Sequence, residues 1–187
     1  TIDVDAAFDR NVGSPETLPL LNQAYMKLEE AAEYPLGHSE GKTLTREAES
    51  ALKQLIAMDS GNAAALMLLA SCAVNLENRV ELIRNLELAK NAVVDLPADN
   101  LLRLEIEGDY QLYVAQEPVA AVAKYRALLA SAPELSRTAL RANWLLAGLF
   151  LGDWGINPAR LYSGDGLSMK ECQDHARQHI LAILASW

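Results

Sequence analysis

Apolar residues recur along this chain every three or four positions, the spacing of one face of a helix. In 14–35, Leu18, Leu21, Tyr25, Leu28 and Ala32 share a face, and Glu29, Glu30 and Glu33 lie towards the other. Ser14 and Pro15 supply an N-cap and a first helical residue; Pro35 and Gly37 close the segment. The same period predicts helices near 45–59, 62–76, 79–95, 99–115, 118–131, 134–151 and 168–187. Their separators read DSGN, LEN, LPAD, QEP and SAPE. Asn78 with Glu81, and Ser168 with Glu171, have the spacing of capping boxes. Alternating β-branched runs are nearly absent, so the fold class is all-α. Helices on short connectors pack as antiparallel neighbours.

The separators are themselves periodic. Pro97 and Pro133 lie 36 residues apart, and Ser60 lies 37 residues before Pro97. A period of this length with two helices per unit predicts an α-solenoid of stacked antiparallel helical hairpins. It reads as a single domain over 1–187 with about four units, 14–61, 62–98, 99–133 and 134–187.

The stretch GDYQLYVAQEPVAAVAKYRALLASAPE (108–134) resembles a tetratricopeptide repeat. Gly108 stands where that family has a small residue on the first helix. Ala121 and Tyr125 match the alanine and the aromatic four later, and Pro133 ends the second helix. The interval from Gly108 to Ala121 is one residue longer than the family pattern. The unit at 62–97 fits at Leu66, Leu69, Ala70, Ala89, Ala92 and Pro97, and the first pair at Ala48, Leu52 and Leu55. Gly152-Asp153-Trp154 resembles the family's inter-helix turn. The parallel between 127–133 and 182–187 implies continuation into another hairpin. The resemblance implies a concave groove lined by the first helices. Glu105, Asp109, Leu112 and Tyr113 would face it, with Met67, Ser71, Val74 and Asn75 at the equivalent positions one unit earlier. Such a surface suits a basic or amphipathic peptide.

Several other stretches have the residue types of a chemical site but a plainer role. LGHSEGKT (36–43) has the glycine, lysine and threonine of a phosphate loop. It has one spacer too few, however, and follows a helix rather than a strand, so it reads as a helix connector with Thr43 or Thr45 near the next N-cap. Cys172, His175 and His179 share a helical face, and the two histidines have a chelating spacing. This is a minor metal alternative beside the reading of a packing face. Ser163 and Ser168 lack a nucleophile elbow. Glu105, Glu107 and Asp109 cluster on one helix, rather than across a cleft as a glycosidase pair would. Trp144 and Trp154 read as packing residues.

Charge narrows the classes. The net charge is −9 and the pI is near 4.8, which disfavours a nucleic-acid binder. The sequence holds no apolar run long enough for a membrane span. The expected function is a non-catalytic protein–protein interaction scaffold, with a protein or peptide partner and no cofactor. The alternative is a ligand- or metal-binding helical protein, such as an exported component of a solute-uptake system. The chain begins at Thr1, which is compatible with a cytoplasmic segment or a processed, exported form. Apolar end helices also leave a surface for homo-oligomer formation. Cys72 and Cys172 read as buried thiols, with a disulfide between them left open.

Overall fold

The computed structural model describes residues 14–35, 37–133, 136–152 and 168–185. Among the described residues the regular elements are all helical. They are α1 (Leu18–Ala32), α2 (Ser39–Met58), α3 (Ala63–Asn75), α4 (Arg79–Ala92), α5 (Leu101–Tyr110), α6 (Pro118–Ser131), α7 (Arg137–Leu151) and α8 (Met169–Leu184). A π-helical turn, Gln111–Ala115, continues α5. The chain divides into two compact units, 1–96 and 97–187. The division falls within the separator LPAD.

In the first unit α1 pairs with α2, α3 pairs with α4, and α2 packs on α3. Its core gathers Leu21, Leu28, Leu52, Leu55, Leu66, Leu69 and Leu86. α3 is apolar on nearly every side, and Ala63 through Ala70 are all buried. Asn62 starts α3 by accepting the Ala65 N–H at 3.0 Å. Glu77, at φ 56, supplies the left-handed residue of the turn into α4, and Asn78 accepts the Glu81 N–H at 3.2 Å.

Two boundaries differ from the periodic reading, each for a physical reason. α1 starts at Leu18, after a turn in which Ser14 N–H donates to Thr17 Oγ1 at 3.0 Å. Were Ser14 the N-cap, Pro19 would fall inside the helix, where its missing N–H breaks the ladder; a start at Leu18 puts it in the first turn. α2 starts at Ser39, so Gly41, Lys42 and Thr43 are helical rather than a connector. A Cβ on Gly41 would meet Tyr34 Cβ at 3.2 Å and the Ala31 carbonyl at 3.4 Å, so glycine there lets α2 lean on the end of α1. Thr43 and Thr45 are not caps: their hydroxyls donate to the Ser39 and Gly41 carbonyls inside the helix, at 3.0 and 2.8 Å. Lys42 pairs with Glu77 at 3.0 Å.

In the second unit α5 pairs with α6, α7 pairs with α8, and α6 packs on α7. Leu104, Leu112, Val122, Tyr125, Leu128, Leu145, Leu146, Leu149, Phe150 and Ala176 form its core. The first hairpin closes through Gln116 in the left-handed region at φ 58, with the Glu117 N–H on the Gln111 carbonyl at 2.8 Å. α7 ends on Gly152 at φ 84. Ser168 and Glu171 close a full capping box at the start of α8. Asp153, Trp154, Ser163, Asp165 and Trp187 lie outside the described residues.

Candidate functional site

α5 carries three carboxylates, Glu105, Glu107 and Asp109, within its ten residues. Arg141, on α7, reaches Glu105 Oε1 at 2.9 Å through Nη1. The same guanidinium grips Asp109, from Nη1 to Oδ1 at 3.1 Å and from Nη2 to Oδ2 at 2.7 Å. This two-pronged geometry is the one a guanidinium fits best. Tyr125 on α6 donates its O–H to Asp109 Oδ1 at 2.8 Å. Burial works against the Arg141 charge, but Asp109 and Glu105 outweigh it and hold the guanidinium well above its usual range. Burial, with Asp109 beside it, pushes the Tyr113 phenol up to about 12. Glu107 sits between Arg103, at 2.8 Å, and Lys124. Burial opposes its ionisation, yet those two cations keep its carboxyl below the usual range. Each of the three α5 carboxylates therefore faces a cation of its own unit.

This bears on the residues expected to line a groove. Met67, Glu105, Asp109 and Leu112 are buried, Ser71, Asn75 and Tyr113 are half-buried, and Val74 is exposed. In this structure Glu105 and Asp109 serve the α5–α7 contact.

The Cys172–His175–His179 face is turned towards α7. Both imidazoles stack on Phe150, with ring centres 5.1 and 6.0 Å away. Asn143 Nδ2 donates to the Ala139 carbonyl at 3.0 Å, which leaves its Oδ1 for His179 Nδ1 at 2.7 Å. Burial pushes the His179 imidazole down to about 4, and the charges of Arg126 and His175 act in the same direction. His179 is thus a neutral ring that donates through Nδ1 at pH 7. Cys172 and Cys72 are buried free thiols, and burial pushes Cys72 up to about 12. Among the described residues no three His, Cys, Asp or Glu side chains are placed to hold a metal ion. Ser168 is spent on its cap: it accepts the Glu171 N–H at 3.3 Å and donates to that carboxylate at 2.6 Å.

Beside this face runs a groove that the sequence reading did not single out. It has a volume of about 360 Å³ and is lined by Leu129 of α6 and Ala132 at its C-cap, Ala139, Leu140 and Asn143 of α7, and Ala182 and Ala185 beside the end of α8. Apart from Asn143 its lining residues are apolar, and four of the seven are alanines. Trp144 is one turn along α7 from Leu140 and 60% exposed; Leu181 is one turn along α8 from Ala185 and 53% exposed. The available signal was the small-residue sequence ASAP at 130–133 and ILAS at 183–186, which periodicity alone reads as packing. No helix among the described residues is long and apolar enough to cross a membrane.

No family model, no curated protein and no solved structure matches this chain.

Proposed function

We propose that this chain is a non-catalytic interaction scaffold built of tetratricopeptide-like hairpins, and that it binds a partner protein or peptide through an apolar face. The observation that carries this reading is the open groove of the second unit, with Trp144, Leu181 and Leu184 exposed beside it. Apolar side chains clustered around a concavity favour association, because covering them removes apolar surface from water. The tetratricopeptide likeness has support in the pairing of Gly108 with Tyr125. A Cβ at 108 would come within 2.6 Å of the Tyr125 ring, so the small residue and the aromatic need each other. The extra residue between Gly108 and Ala121 falls where a π turn can absorb it.

The reading is tested by affinity capture from the source cells with the wild type, Ala182→Glu in the groove and Val80→Glu on α4. Both substituted positions are exposed, so the fold tolerates them. A partner retained by the wild type and Val80→Glu, and lost by Ala182→Glu, is the expected result. Identical capture by all three would overturn the reading.

A further inference from the structure

α8 is seated differently from the other helices of its unit. α5, α6 and α7 bury leucines in the common core, among them Leu104, Leu128, Leu145 and Leu149. Of the described α8 side chains only Cys172 and Ala176 are buried, and His175, His179 and Ile183 are half-buried. The large residues Ile180, Leu181 and Leu184 are exposed instead. The seat of α8 on α7 therefore rests on two small side chains and on two imidazoles stacked over Phe150. A helix held by so little apolar surface lies at the weak end of local stability.

The charge around that seat does not favour a second proton on His179. The 14 residues of α6 and the 15 of α7 contain Lys124, Arg126, Arg137 and Arg141 and no aspartate or glutamate. Beneath His179, α7 presents Asn143 and Phe150, both neutral. On α8 itself, His175 is one turn back, Asp174 and Arg177 are exposed, and Glu171 is taken up by the Ser168 cap. The Nδ1–H bond to Asn143 is already made by the neutral ring, so protonation adds no bond there. It adds a charge to a half-dry seat, opposed by burial and by the charges of Arg126 and His175.

We infer that α8 is an acid-released latch: protonation of His179 frees α8 from Phe150 and Asn143 of α7, while α5, α6 and α7 keep their shared core. Ala182 and Ala185 depart with it, so the groove loses a wall whether or not it takes a partner. The direction is set by linkage. The released ring in water takes up its proton from about 6.5, and the seated ring only near 4. Seating is therefore unaffected by pH well above 6.5 and weakens as pH falls from there towards 4.

The reporter is Cys172, a buried thiol on the seated face of α8, and the internal control is Cys72, buried in α3 of the other unit. The full chain is labelled with a pyridyl disulfide, which reacts in acid as well as at neutral pH. Each thiol is read by peptide mass, and its rate is divided by that of a free thiol at the same pH. Between pH 7 and about 4.5 the normalised rate of Cys172 should rise about tenfold or more, a figure reduced for the part of the ring that water already screens. Cys72 should stay protected. Low urea should change the Cys172 rate little, because releasing one helix exposes far less surface than unfolding the unit. In His179→Gln the ratio of the two rates should fall towards one. That ratio is informative even if the variant loosens α8 at every pH. An unchanged Cys172 rate in the wild type overturns the inference. So does an equal rise in His179→Gln, or a rise with the urea dependence of global unfolding, which would mean that the whole unit opens.

Discussion

Replacing Arg141 by methionine keeps most of the aliphatic stem that extends from α7 and removes the charge that faces Glu105 and Asp109 of α5. Those carboxylates are only 8% and 4% exposed, so neither can recover its hydration without the fold giving way. Breaking a buried ion pair from one side costs about 3–5 kcal/mol, more than a surface pair is ever worth. Arg141 itself is 31% exposed, and water on that edge screens the stranded charges, which lowers the expected loss to about 2–4 kcal/mol. The reporter is built in. Trp144, Trp154 and Trp187 all belong to the unit 97–187, so a urea melt followed by tryptophan fluorescence reads that unit alone. The triple variant Arg141→Met, Glu105→Gln, Asp109→Asn carries no stranded charge and should regain much of the loss. A loss under about 1 kcal/mol, or a triple variant no more stable than Arg141→Met, would refute the view that this network is a desolvated ion cluster.

Gly108→Ala should destabilise the second unit by about 1–3 kcal/mol in the same melt, although alanine is the better helix former. The ring it would strike is fully buried and tied to Asp109, and a neutral or stabilising result would mean that the ring gives way. His179 should make that unit acid-sensitive. Its folded imidazole resists protonation until about 4 while the unfolded chain takes up a proton from about 6.5, so stability falls as pH drops through that window. Screening of the half-buried ring reduces the total to about 1–2 kcal/mol, and His179→Gln should flatten that part of the pH profile.

The helices were legible because their polar and apolar positions keep a helical period and because Asn78 and Ser168 mark their starts chemically. The start of α2 was not, since a glycine, a lysine and a threonine have the local look of a connector. What makes Gly41 helical is its approach to Tyr34, a tertiary fact. The spacing of Glu105 and Asp109 correctly puts them on one side of α5. That they are buried depends on Arg141, 36 and 32 residues further on, and no local pattern joins residues so far apart. The groove was harder still. Its alanines come from three helices, and in each they read as ordinary close-packing residues until the three are brought side by side.

The most direct test of the central claim is photo-crosslinking in the source cells from a benzoylphenylalanine placed at Ala182 or Ala185, with Val80 as the exposed comparison site. A discrete heterologous adduct from both groove positions and none from position 80 is the predicted result. Adducts from position 80 alone, or none from the groove while the protein is folded and abundant, would contradict it.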